Sequence, residues 1–505
     1  MTQRTMEDGH HYVDGEWSAG GDSFVTENPA TGVPIARVPR GTTEDIERAV
    51  DAAVGAFEGW RRLSTIDRAE YLWDVHHELR TRADELGEIV SRECGKELDE
   101  GRADIVEAAH MVEWAAGNAR HPHGDVVPSE VAAKDAFMRR KPRGVVASIT
   151  PWNFPVAIPF WHLAISLVEG NTVVWKPAEQ TPWCGQVVAE LLEHLPDGVF
   201  NMVQGFGDAG EALVGDERVS TVLFTGSAAV GQEIAERVAS QPGTRAACEM
   251  GGKNAIVVTE TADLDIAVHS AVMSSFKTTG QRCVSSERII VHTDVYEEFR
   301  ERFVAAAESV TVGDPLESST FMGPLVDASQ RERVAEFNGL AAAEGGTVLI
   351  DRFDLSDTDL PADGHWVGPF VYEIDHDPSL RCLSEECFGP HVALIEYEGP
   401  IERAVEIHNE TPYGLAGAVI SEDYRQLRHF RDHADLGLAY GNLPSIGAEV
   451  QLPFGGVKRS GNGYPSARET IEAVTDRTAW TVNADEDIEM AQGLSADIRM
   501  DLERQ

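Results

Sequence analysis

The residues Gly280-Gln-Arg-Cys283 place a cysteine after a helical run, Val272-Met-Ser-Ser-Phe-Lys277, and a flexible glycine turn. A thiolate nucleophile needs access, a polar or electropositive setting and nearby backbone N–H donors, and a glycine turn beside Arg282 can supply them. A buried core cysteine fits this tetrapeptide equally well, so its company decides. Thr150-Pro-Trp-Asn-Phe-Pro155 follows a strand end, where open α/β sheets bind ligands, and offers the uncharged amide of Asn153 as a donor. Glu249-Met-Gly-Gly-Lys253 sets a carboxylate beside two glycines just before another strand, and Glu385-Glu-Cys-Phe-Gly-Pro390 sets another beside an aromatic at a tight turn. Each alone reads as a turn or surface feature. Together, in this order, they are hard to assign to chance.

The elements that must position these groups fall into three textures. Residues 43–120 read as helical: a capping signal opens Thr43-Glu-Asp-Ile-Glu-Arg-Ala-Val, and apolar residues recur at three- and four-residue spacing through Ala69–Val90 and Ala108–Ala116. From Gly144 short apolar strands alternate with helices, at Val145–Thr150, Thr172–Lys176, Phe200–Val203, Thr221–Thr225 and Asn254–Val258. A second such series follows about Asp263, with strands near Arg288–Val291, Gly346–Ile350, Val392–Ile395 and Ala416–Ile420. Alternation of this kind predicts two doubly wound, mostly parallel α/β domains. The acidic tail 485–505 reads as a surface or subunit-contact segment.

Length agrees, since 505 residues exceed what one core holds, and two or three domains are expected. The charge is extreme: 85 Asp and Glu against 42 Lys and Arg give a net −43, spread along the chain. Such a surface repels nucleic acid and anionic membrane, and it needs salt to screen its self-repulsion, as in the cytoplasm of a halophile. Only seven of the basic residues are lysines, and four of these (Lys176, Lys253, Lys277 and Lys458) fall inside motifs. The first residues have no apolar signal segment, and no run of about 18 apolar residues occurs, so a cytoplasmic protein is expected. The six cysteines show no spacing suited to zinc or to a disulfide framework, and no metal is expected.

From about Tyr12 to Val482 the chain resembles the aldehyde dehydrogenase superfamily. The resemblance rests on Pro-Trp-Asn-Phe-Pro, Lys176-Pro-Ala-Glu179-Gln-Thr-Pro182, Phe224-Thr-Gly-Ser227, Glu-x-Gly-Gly-Lys, Gly-Gln-x-Cys, Glu-x-Phe-Gly-Pro and Pro453-Phe-Gly-Gly-x-Lys-x-Ser460-Gly. It implies Cys283 as nucleophile, Asn153 with the Cys283 N–H as oxyanion donors, and Glu249 as the base that activates water against a thioester. Members that pass the acyl group to coenzyme A generally lack this glutamate, so a free acid is the implied product. Trp152, Lys176, Glu179, Gly226, Ser227, Glu386 and Phe388 would bind the dinucleotide. A carboxylate at Glu179 favours NAD over NADP, although NADP stays open. The literal GxGxxG of Gly205-Phe-Gly-Asp-Ala-Gly210 is disfavoured, because no acidic residue in a strand context follows at the required distance.

By the same resemblance Phe154, Trp161 and Phe454 line the aldehyde tunnel, with Phe276 and Lys277 near its wall. An apolar tunnel suits neutral aliphatic or aromatic aldehydes. Lys277 departs from the aromatic residue often found there. With Arg282 it would draw a carboxylate-bearing substrate such as succinic or 2-oxoglutaric semialdehyde, unless it merely reaches solvent. A coenzyme A-acylating dehydrogenase is a rival reading. Implied domains are a cofactor domain at 1–121 and 143–255, a catalytic domain at 256–475, and an oligomerisation flap with tail at 122–142 and 476–505, giving a homodimer or homotetramer.

Overall fold

The computed structural model describes residues 6–121, 123–486 and 490; most of the acidic tail expected to meet a partner subunit lies outside them. Two α/β sheets carry the architecture. The first has eight strands, in the order Gly461–Asn462, Arg245–Met250, Val219–Gly226, Val145–Ile149, Thr172–Lys176, Phe200–Met202, His11–Val13 and Glu16–Ser18. Its five central strands are parallel, and its outer strands add antiparallel at both edges. Strand order reverses between Val145–Ile149 and Val219–Gly226, which opens a crevice at their carboxyl ends.

The second sheet has seven strands, Thr347–Asp351, Phe370–Glu373, His391–Tyr397, Ser286–His292, Asn254–Val258, Ala416–Ile420 and Leu438–Gly441. It is parallel except at its first pair. Central strands such as Asn254–Val258 and Ala416–Ile420 are buried throughout, as their unbroken apolar runs require when helices cover both faces.

Four helices, Thr43–Arg62, Thr65–Thr81, Ala83–Cys94 and Leu98–Asn118, form the expected entry layer. The first is capped by Thr42, one residue earlier than the reading from sequence, because its side chain and Asp45 complete a reciprocal capping box. The helix Ala157–Val168 is buried at every position, packed between this layer and the first sheet, and so shows no polar face in sequence. The strands within residues 7–39, Arg245–Met250 and Leu438–Gly441 had no sequence signal strong enough to place them. Residues 7–39 form a three-stranded sheet and the antiparallel edge described above. Arg245–Met250 and Leu438–Gly441 join the main sheets. Lys134–Pro142 pairs antiparallel with Thr475–Asn483 along its whole length, with Val126–Val127 on the far side. This ribbon leaves Val126 91% and Trp480 51% exposed. Among the described residues no helix is long and apolar enough to cross a membrane.

Candidate active site

The helix Leu264–Phe276 gives way to a turn in which Thr278, Thr279 and Gly280 all adopt left-handed φ values of +52°, +55° and +70°. Two threonines in this region are unusual, and each costs of order 1–3 kcal/mol, so the surroundings must hold them. Glu100, buried at the start of helix Leu98–Asn118, accepts from the Thr278 N–H at 3.1 Å, from its hydroxyl at 2.7 Å, and from Arg282. Arg282 also donates to the Thr278 hydroxyl at 2.8 Å. Gly280 is required twice, by its φ and because a β-carbon would strike the backbone of Gly389 and Pro390. The cysteine motif and the Glu-Glu-Cys-Phe-Gly-Pro motif therefore touch.

Cys283 follows this turn and is the one cysteine of the six that is not buried. Its carbonyl accepts from Asn254 Nδ2 at 2.7 Å, and Asn254 also holds the Ser285 carbonyl at 2.9 Å. Desolvation in the cleft, then the Glu249 and Glu386 carboxylates, push the thiol pKa up, while Arg282 opposes them. Asn153 lies alongside: its Nδ2 donates to the Gln281 carbonyl at 3.0 Å, leaving one N–H of that amide unspent, and its Oδ1 is buried without a partner among the described residues. Glu249 Oε1 accepts from the Gly456 N–H at 3.1 Å, but Oε2 is buried and unpartnered. Burial holds this carboxyl well above the usual carboxylate range, only partly offset by the Gly456 N–H. A thiol, an amide donor and a protonatable carboxyl thus share one cleft, the set needed to form and then hydrolyse a thioester.

Beside this centre the crevice of the first sheet carries groups that fit a dinucleotide. Lys176 ends its strand fully enclosed, its Nζ donating to the Pro177 carbonyl at 2.8 Å and to Glu179 at 3.3 Å. Ser227 caps helix Ala228–Ala239, whose first N–H groups face the strand ends as an anion site does. Gly226 and Gly231 allow the close approach of that helix, since β-carbons there would strike Phe224 and Met250. Glu386 Oε1 accepts from the Gly252 N–H at 2.9 Å, and burial with the neighbouring Glu287 raises its pKa to about 8. Phe388, at φ +63°, meets Trp152 edge-on at 5.5 Å. The GxGxxG segment differs: the first turn of its helix Gly207–Gly215 carries Asp208, which accepts from Ala209 N–H and pairs with Arg40. A carboxylate at that pole repels a pyrophosphate.

The tunnel expectations need one correction. Phe276 is fully buried and stacks on Phe303 at 6.0 Å inside the catalytic-side core, so it lines nothing; the last turn of its helix points it at the sheet. Lys277 does reach a cleft of about 520 Å³, but its Nζ pairs with Glu97 at 2.7 Å and lies over the Phe321 ring. Trp161 and Phe454 pack together at 4.7 Å. Phe154 is flanked by two cations, Lys96 Nζ 3.8 Å and Arg282 Cζ 5.1 Å from its centroid. Tyr440, Ile446, Ala448 and Val450 pack about the same apolar cluster as Cys283 and Phe154. Sequence reading missed them, together with Glu100 and Asn254, whose partners lie far away along the chain, and the Lys96–Asp104 pair, whose burial is set by the surrounding fold. Among the described residues no cluster of three or more His, Cys, Asp or Glu could hold a metal.

The model of the aldehyde dehydrogenase family matches residues 17–479. An α-ketoglutaric semialdehyde dehydrogenase of Bacillus subtilis is 36% identical over 92% of this chain and 95% of its own. An α-ketoglutarate semialdehyde dehydrogenase of Haloferax volcanii is 36% identical over 89% and 93%. Among solved structures, betaine aldehyde dehydrogenase from Staphylococcus aureus in complex with NAD⁺ superposes with a TM-score of 0.90 at 30% identity, covering 95% of each chain. With that fold, these motifs and this cleft, the chain belongs to the aldehyde dehydrogenase family and is an NAD(P)-dependent aldehyde dehydrogenase.

Proposed function

We propose that this enzyme oxidises a carboxylate-bearing semialdehyde, of the 2-oxoglutaric or succinic type, to the free dicarboxylic acid with NAD⁺. The observation that carries the chemistry is the shared cleft of the accessible Cys283, the Asn153 amide and the half-satisfied Glu249 carboxyl. Cys283 attacks the aldehyde carbon, its thiol proton passing to solvent water as the sulfur–carbon bond forms. Asn153 Nδ2 and the Cys283 N–H hold the oxyanion. Bound NAD⁺ supplies two-electron oxidation of the carbon now attached to sulfur. Glu249 then takes a proton from water attacking the thioester, and the acid departs as the thiolate re-forms. Lys176 and Glu179 would hold the adenosine ribose, Gly226 and Ser227 the pyrophosphate, and Trp152, Glu386 and Phe388 the nicotinamide end. The Glu179 carboxylate favours a free ribose 2′-hydroxyl over a phosphate.

The substrate reading draws support from the two semialdehyde dehydrogenase relatives and from the cations around Phe154. Arg282 suits the substrate carboxylate better than Lys277. Both cations are already paired, Lys277 with Glu97 and Arg282 with Glu100, but the Arg282 guanidinium also lies over the Phe154 ring and its Nη1 has no partner among the described residues. We further read the protein as a cytoplasmic homo-oligomer joined through the exposed ribbon, and as an enzyme of a salt-rich cell. The test is NADH formation in molar KCl without coenzyme A, over neutral aldehydes and semialdehydes, with Cys283→Ala, Arg282→Met and Lys277→Met. A semialdehyde preference lost in Arg282→Met supports the assignment. Equal turnover of neutral aldehydes discards the substrate class and keeps the chemistry.

A further inference from the structure

Lys253 closes the motif that begins at Glu249, yet no step above uses it. Its side chain is fully buried, and its Nζ lies 2.5 Å from Glu287 Oε2. Glu287, from strand Ser286–His292, turns its carboxylate to the Glu386–Phe388 turn. The Cys387 N–H donates to both oxygens at 2.9 and 3.0 Å, and the Phe388 N–H donates to Oε1 at 2.7 Å. Two successive N–H groups aimed at one anion form a nest, and Phe388 is its left-handed member. The carbonyls of the same turn are held from the other side: Gln330 Nε2 donates to Phe388 at 2.6 Å, and Arg333 Nε to Cys387 at 3.1 Å. A further tie, Gly252 N–H to Glu386, joins the two segments directly. The strand end that carries Glu249 and the turn that carries Glu386 and Phe388 therefore meet through one buried ion pair.

Such a pair is a poor source of net stability, because desolvation offsets most of its attraction. Its acceptor atoms are spent on the backbone of a turn that faces the cofactor crevice. We propose that Glu287, held by Lys253, is a positioning residue for the dinucleotide: it sets the Glu386–Phe388 turn in register with the Glu249–Lys253 segment, so that the nicotinamide ribose is received in line with Cys283. This rests on the cofactor reading given above.

The test uses the full chain in molar KCl with Glu287→Gln, Glu287→Asp and the neutral pair Lys253→Met/Glu287→Gln. NAD⁺ affinity is measured by calorimetry, folding by thermal unfolding, and the Cys283–Glu249 chemistry by cofactor-free hydrolysis of an activated ester. Expected is NAD⁺ binding weaker by about tenfold in each variant that folds, with KM for NAD⁺ rising in step and ester hydrolysis held within about twofold. Glu287→Asp keeps the charge but is too short to reach both N–H groups, and it guards against a Gln variant that fails to fold. Unchanged NAD⁺ affinity in a folded variant overturns the proposal, as does ester hydrolysis falling in parallel with affinity. A wild-type chain that binds no NAD⁺ overturns the cofactor reading itself.

Discussion

The Glu386 carboxylate fills the space that a β-carbon on Gly251 would need. Gly251 thus makes room for a carboxylate from the turn before strand His391–Tyr397, which the neighbouring Gly252 N–H then holds. Gly251→Ala should displace Glu386 and raise KM for NAD⁺ by about tenfold or more, with little change in cofactor-free ester hydrolysis. Steady-state kinetics with varied NAD⁺ decides it.

Asn153→Ala removes one oxyanion donor and leaves the thiol in place. The expected cost is about 3–4 kcal/mol of barrier, or roughly 10²–10³ in kcat, with thiol alkylation by iodoacetamide retained. Loss of alkylation together with activity would mean that Asn153 shapes the Cys283 turn instead.

Because burial lifts the Glu249 pKa above the ordinary carboxylate range, its basic form accumulates only as pH rises past that range. Thioester hydrolysis should therefore gain its base at higher pH than an ordinary carboxylate would supply it. Glu249→Gln should still give one turnover of NADH per site and then stall. Rapid-mixing measurements of the burst across pH report both effects.

Glu93 is buried beneath the segment that carries Lys176 and Glu179, and it accepts from the Trp183 and Cys184 N–H groups at 2.9 and 2.7 Å. Burial raises its pKa to about 7 from 4.5. The folded state binds this proton more tightly than the unfolded one, so the stability it adds is full below the unfolded value and is lost as pH rises through about 7. The loss amounts to about 3 kcal/mol. Glu93→Gln should flatten the fall in unfolding free energy between these pH values in denaturant titrations.

The net charge of −43 predicts salt dependence. Thermal unfolding should shift upward by several degrees or more from dilute buffer to molar KCl, as screening removes self-repulsion. An unchanged midpoint would separate the acidic surface from any need for salt.

Local order decided what could be read early. The strand cores Val145–Ile149, Thr172–Lys176, Asn254–Val258 and Ala416–Ile420 are short apolar runs bounded by turn residues, and that pattern is contained in the chain itself. So are the cysteine, amide and carboxylate motifs, whose residue types limit the chemistry wherever they fold. Phe276 and Lys277 were harder, because one residue of helical rotation separates a side chain in the core from one in the cleft, and the direction is set by Phe303 and Glu97. The pairing of these cations was likewise tertiary: Lys277 meets Glu97 across 180 positions of chain, and Arg282 meets Glu100 across 182. The amino-acid sequence by itself determined the alternation of elements and the inventory of reactive groups, because both depend on neighbours along the chain. Only the tertiary structure decided which cysteine stays accessible, which glutamate keeps an unpaired oxygen, and which lysines are spent in buried pairs, because desolvation and pairing depend on neighbours in space.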